Sequence, residues 1–441
     1  MLKIACFTPL SNKYPEIKKY SLNLILYLKK YMEIDVFIEN SHDNLQKKRE
    51  FNIYLSEEFE AQNENAVYDI ILYEMADNEE HRYIYPFIFE YPGIIVLHDY
   101  AYHRFFINTK DNLQNQSFYL NELDYNYGNE GKSFANRYLS NTWTEMDDFL
   151  YPNNARMIES SVGIIAHTKE IKNHIEKKHP KACIRNINYG LEFENRKENK
   201  VTLKTKIGFQ YYNFVFGIFE NNGTIEKLDL TLKSFDKIVQ TFTDSILLIV
   251  GDKKEKWISK IIEEFNMQES IKVIDSREPR LDDYISTIDI GFEFTNPISN
   301  KLPINMLKMM GQSIPVVIFD YPAYREIPSD CCVKIFTLAG ENVFDNIYNS
   351  VYPIVTNHCL RKKIGENAKK YISDHHNFVQ VAAEYYEFIV ETIYRMKIKN
   401  KSYEFDCMID TIKKEMEKIG IKNDKKLLSS MIQTRNELYA E

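Results

Sequence analysis

At 441 residues the chain exceeds what one hydrophobic core organises, and it fits two domains of ordinary size with some chain left over. Its 44% hydrophobic and 27% charged residues are globular proportions, and only 14 glycines exclude collagen-like and glycine-rich disordered chains. A formal net charge of −8 speaks against a dedicated nucleic-acid binder.

No apolar run approaches the roughly 18 residues that a membrane helix needs. The opening MLKIACFTPL leads straight into a strand pattern with no signal peptide. A soluble cytoplasmic protein is therefore expected, with at most peripheral contact at the inner face of the membrane. Six cysteines (Cys6, Cys183, Cys331, Cys332, Cys359 and Cys407) form no C-x-x-C pair and read as reduced thiols.

In chain order, residues 3–8 read as an apolar strand and residues 21–31 as a helix with Leu22, Ile25, Leu26 and Leu28 inward. Residues 34–38 form the next strand. Two more follow at 68–75 (YDIILYEM) and 93–97 (GIIVL), the latter ending at His98 and Asp99. Residues 110–160, rich in asparagine, tyrosine and acids, read as helices and loops. A strand at 162–166 (VGIIA) then ends at His167. The second half repeats the pattern, with strands at 213–219, 245–251, 271–274 and 290–294 alternating with helices at 227–239, 257–265 and 281–288. The stretch NPISNKLPINMLKMMGQSIPVVIFD places Ile304, Leu307 and Met310 on one helical face, stops the helix at Pro315 and continues as a buried strand. The start of that helix offers unpaired N–H groups and the positive end of its dipole to a phosphate. From Leu360 the chain is helical, with Val379, Ala382, Tyr386 and Ile389 as an apolar face and a charge-rich end over residues 413–441. Such alternation describes an α/β chain of two Rossmann-like domains facing across a cleft, at 1–195 and 196–365, with residues 366–441 as helices that cross back to the first domain.

These elements, in this order, resemble the GT-B glycosyltransferases of the family-4 type (glycosyl transferases group 1) over about residues 1–390. KIACFTPL, its helix and DVFIEN resemble that family's opening, and VLHDYAYH its histidine-bearing strand end. VGIIAHTKEI resembles the approach to the interdomain linker. SILLIVGD, YISTIDIGFEF, NKLPINMLKMMGQSIPVVIFD and YREIP fall in the order of its donor-binding domain. The resemblance implies a retaining hexosyltransferase that moves a sugar from a nucleotide diphosphate sugar to a glycan, lipid-linked or protein acceptor. It implies His98 and Asp99 at the catalytic end, and Lys227, Asn300, Lys301, Leu302 and Lys308 around the donor. Pro9, Glu16 and Ile17 fall in the acceptor or phosphate loop. No cofactor and no metal are implied, because no Asp-x-Asp cluster of metal-ligand character occurs.

Several positions depart from the family pattern. Tyr14-Pro15-Glu16-Ile17 occupies the loop where small residues usually admit the donor phosphates, and a carboxylate there repels a diphosphate. The acids of the E-x7-E motif would fall at Asn300 or Lys301 and at Lys308. A lysine has three donors and no acceptor, so Lys308 suits a phosphate and not a ribose hydroxyl. Ser313 replaces a preferred glycine, and no arginine accompanies Lys227. These departures favour a second expectation: a catalytically inactive GT-B subunit that binds a partner glycosyltransferase, an acceptor protein or a second copy of itself. The intact His98-Asp99 strand end favours the enzyme. Glu326, in YREIP, is expected to cap or pair locally.

Overall fold

The computed structural model describes residues 1–39, 51–107, 113–140, 142–192, 199–209, 214–220, 225–251, 260, 262–265, 267–295, 303–337 and 341–418. Two parallel sheets organise it. The first contains β1 (Lys3–Phe7), β2 (Glu33–Ile38), β3 (Asn52–Leu55), β4 (Ile70–Met75), β5 (Ile94–Leu97), β6 (Gly163–Ala166) and β7 (Ile184–Asn186), in the order β3-β2-β1-β4-β5-β6-β7. The second contains β8 (Phe214–Glu220), β9 (Ser245–Gly251), β10 (Ile271–Asp275), β11 (Ile290–Glu293), β12 (Val316–Phe319) and β13 (Val333–Ile335), in the order β10-β9-β8-β11-β12-β13. Each order reverses beside its first strand, between β1 and β4 and between β8 and β11. In doubly wound sheets a ligand crevice opens at that point, beyond the carboxyl ends of the strands.

The central strands are largely apolar because both of their faces are covered, with Asp35 in β2 and Glu74 in β4 as buried exceptions. Side chains alternate along β1: Ala5 and Phe7 join Phe37, Tyr73 and Ile95 on one face, while Ile4 and Cys6 join Val36, Leu72 and Val96 on the other. The second sheet divides likewise, with Val215, Leu248 and Ile318 against Phe216, Leu247 and Val317.

The first helix, Pro15–Leu28, begins six residues before the expected start. Pro15 presets the backbone of the first turn and Glu16 faces the positive end of the dipole, so a polar stretch becomes helix. Tyr20, Ser21, Leu24, Ile25 and Leu28 are buried, whereas Leu26, expected inward, is 42% exposed. Of the helix expected at 257–265, residues 257–259 and 261 lie outside the described residues.

The helix His358–His375 still belongs to the second sheet's core, where Ala368 and Ile372 are buried. The chain then crosses back beside the outgoing linker. Leu191 N donates to His376 O at 2.7 Å, and His376 Nδ1 lies 2.9 Å from Tyr189 O, so the two crossings are held together. The last helix, Phe378–Lys418, buries Val381, Ala382, Tyr385, Phe388 and Ile389 against Leu24, Ile25 and Leu28. Val379, expected on this face, is 55% exposed; the buried stripe follows 381, 385, 388 and 389, and Tyr386 is only partly buried, stacking on Tyr31. Among the described residues no helix is long and apolar enough to cross a membrane.

Ser313 sits at φ 62°, just after the helix Ile304–Gly311 and before β12. That left-handed conformation is why glycine suits this position. The neighbouring helix packs so closely here that a Cβ on Gly365 would lie 2.1 Å from Ser313 O.

Candidate active site

The carboxyl ends of both sheets open into one cavity of about 1060 Å³. The first unit contributes Tyr14, Glu16 and Ile17 from the loop and helix after β1, Asp77 after β4, and Asp99 and Arg104 after β5. The second contributes Phe219, Val250, Ser276 and Arg277 from the ends of β8, β9 and β10, together with Ile304, Asn305 and Lys308 of the helix before β12. Of the residues expected in the site, Glu16, Ile17, Asp99 and Lys308 meet here. Asn300, Lys301 and Leu302 lie outside the described residues. Pro9, His98 and Lys227 are not among the cavity's lining residues.

His98 is 4% exposed and lies beneath the cleft floor. Its Nε2 is 3.9 Å from Glu74 Oε2 and has no hydrogen-bond partner. The same buried carboxylate accepts from Thr8 Oγ1 at 2.8 Å and from the Ser21 hydroxyl. Tyr20 and His167 pack their rings 5.1 and 5.2 Å from that of His98. A buried carboxylate needs hydrogen bonds, and these hydroxyls supply them to Oε2, while Oε1 has no partner among the described residues. The cluster therefore fixes the end of β5, which in turn sets Asp99.

Asp99 and Asp77 form a carboxyl pair at the cleft. Asp77 N donates to Asp99 Oδ2 at 2.9 Å, and Asp77 Oδ1 accepts from Phe105 N at 2.7 Å. Burial, and then the neighbouring Asp99 charge, push the Asp77 carboxyl up to about 8, against the pull of the Phe105 N–H and Arg104. Asp77 is the polar group that sequence reasoning missed. Its environment comes from residues more than 20 positions further along, and only its place immediately after a buried strand marked it.

Among the described residues, the two lysines expected around a donor are already paired. Lys227, only 10% exposed, donates to Phe219 O at 3.0 Å and lies 3.5 Å from buried Glu293, so its charge is used inside the second unit. Lys308 reaches across the cleft to Glu16 at 2.9 Å. Arg277 chelates Asp275 through Nε at 2.8 Å and Nη2 at 3.0 Å. The cavity lining holds four lysines and arginines (Lys13, Arg104, Arg277, Lys308) against five carboxyls (Glu16, Asp77, Glu79, Asp99, Asp282), so its described walls are not net positive. Glu326 pairs across the units rather than locally: its Oε2 accepts from Lys169 N, at the start of the helix Lys169–Lys178, at 3.3 Å. Burial raises this carboxyl to about 7.

Two Rossmann-like sheets, a shared cleft and a helix that returns across it make this a GT-B fold. Solved structures of the same fold include Anabaena HepE in complex with UDP-glucose, which is 14% identical with a TM-score of 0.59 over 90% of this chain and 100% of that one. A glycosyltransferase from Rickettsia africae ESF-5 is 11% identical with a TM-score of 0.61 over 89% and 98% of the two chains. A Listeria monocytogenes protein assigned as a UDP-N-acetylglucosamine 2-epimerase is 13% identical with a TM-score of 0.51 over 87% and 94%. No protein-family model matches the sequence, and neither does any curated protein. These likenesses establish the fold; the epimerase illustrates that one fold carries more than one chemistry.

Proposed function

We propose that the chain is a glycosyltransferase that uses a nucleotide diphosphate sugar. The observation that carries the proposal is the cavity at the carboxyl ends of both sheets, lined from both units. The donor lies against the second sheet, with its diphosphate at the start of the helix Ile304–Gly311; Lys308, in the last turn of that helix, and Arg277 line the same cavity. HepE, of the same fold, was crystallised with UDP-glucose, which supports a donor of this class.

The acceptor lies against the first sheet. There Asp99 and Asp77 accept from its hydroxyls and orient the one that attacks, while the His98 cluster holds Asp99 in place. Retention at the anomeric carbon, a hexosyl group and a glycan, lipid-linked or protein acceptor follow the family-4 resemblance. Closure of the two units excludes water from the reacting atoms.

The pairing of Lys227, Lys308 and Arg277 with carboxylates favours a second reading, an inactive subunit that binds a partner transferase or an acceptor protein. Incubation with UDP- and GDP-sugars decides between them. The enzyme releases one nucleoside diphosphate, and NMR of the product reports a retained anomeric configuration. Release of none, together with stable capture of a transferase, supports the inactive subunit.

A further inference from the structure

A described groove suited to an anion lies away from the cleft. Behind the first sheet, at the amino-terminal ends of β6 and β7, a groove of about 940 Å³ runs between the turn 178–183 and the last helix. Its charged lining residues are Lys178, Lys181, Arg395 and Lys399 against one carboxylate, Glu159, with His179 beside it. The described cleft walls have more carboxyls than cations; the described lining of this groove has four cations to one carboxylate, on a chain whose net charge is −8.

The cations differ in what they already hold. Arg395 is partly satisfied, by Glu391 at 2.8 Å and Cys183 Sγ at 3.4 Å. His179 lies 3.6 Å from Glu159, which also accepts from Tyr125. Lys178 is exposed and forms no ion pair among the described residues; its Nζ reaches only the Leu150 carbonyl at 3.5 Å. Lys181 and Lys399 are exposed. Among the described residues, three ammonium groups thus line one opening without a carboxylate of their own.

The rest of the lining is apolar, and it decides the class of ligand. Val162, Met396 and Ile398, each only partly buried, would stay uncovered by a free phosphate. On the adjoining edge of the same helix Val390 is 40% and Tyr394 65% exposed, one turn apart and followed by Lys397. An exposed aliphatic and an aromatic beside a basic rim suit a bilayer interface better than an acidic peptide.

We propose that this groove binds an anionic lipid of a bilayer surface, the phosphate held by Lys178, Lys181 and Lys399 and the acyl chain laid along Val162, Met396 and Ile398. Binding here leaves the cleft free and does not depend on the transferase reading.

Cosedimentation with phosphatidylglycerol-containing vesicles, and with vesicles of phosphatidylcholine alone, tests the site in the full chain. Binding to the first and not the second is expected, and it weakens as salt rises. Each basic side chain near an anionic bilayer is worth about 1 kcal/mol, so Lys181→Glu with Lys399→Glu should weaken binding at least ten-fold with an unchanged circular dichroism spectrum. Met396→Asp should also weaken it. Equal binding to both vesicle types, unchanged binding of the double variant, or no vesicle binding with capture of polyglutamate overturns the proposal. Displacement from vesicles by millimolar glycerol phosphate would show that a free phosphate suffices and would overturn the lipid assignment.

Discussion

Replacing Asp77 by asparagine keeps the shape of the side chain and an oxygen to accept from Phe105 N, and it removes the ionisation. In the folded chain, burial and Asp99 raise this carboxyl from the ordinary aspartate value of 3.8 to about 8. Between those two values the unfolded chain has lost the proton and the folded chain has kept it. Folding therefore takes up a proton, and stability falls as pH rises across that window. Four pH units at about 1.4 kcal/mol each put the full cost on the order of 5 kcal/mol above pH 8, and near zero below pH 4. Asp77→Asn should match the parent at pH 4.5 and exceed it increasingly towards pH 9. With about 2–4 °C per kcal/mol for a domain of this size, the gain at pH 9 should be at least about 5 °C. Thermal denaturation of both proteins at pH 4.5, 7 and 9 measures it. Parallel curves would refute the burial and coupling assigned to this pair.

Three further outcomes follow from the same geometry. Ser313→Gly relieves a left-handed serine and should raise stability by about 1 kcal/mol, read as a shift in the denaturation midpoint; a loss would mean that the serine hydroxyl holds the turn. Lys308→Glu sets a carboxylate against Glu16 and the diphosphate, and should weaken nucleotide binding by about 1–3 kcal/mol in calorimetry. Tighter binding would instead make position 308 a ribose-accepting site. Ending the chain at residue 360 strips Val381, Tyr385 and Phe388 from the first sheet's core and should leave aggregated protein; a soluble monomer by light scattering would show the return helix to be dispensable.

The sequence made the central strands legible because parallel strands covered on both faces are predominantly apolar: KIACF, IILYEM, SILLIVG and VVIF announce themselves. The outer strands NIYL, IRN and VKI were not read, because they are three or four residues long, largely half-buried and without an apolar run. The first helix lost its opening turn in the reading because five of its first six residues are polar, tyrosine or proline, although proline followed by an acid is itself a start signal.

Around the cleft, the ends of strands could be located, but the pairing of charges could not. Lys227 reads as a phosphate ligand until Glu293, 66 residues on, is found beside it. Lys308 likewise reads as a phosphate ligand until the opposite unit brings Glu16 to it. Asp77 carries no motif; it matters because the fold seats it against Asp99 and under Phe105. Local pattern places elements, whereas electrostatics depends on which distant elements meet.

The central claim is that the cleft binds a nucleotide sugar donor. Isothermal titration of the purified full chain with UDP, with GDP and with their sugars measures this directly. The account predicts one-to-one, exothermic binding of one nucleoside diphosphate at micromolar concentration, weakened by Lys308→Glu. Absence of heat with every nucleotide, under conditions where the chain is folded, would contradict it.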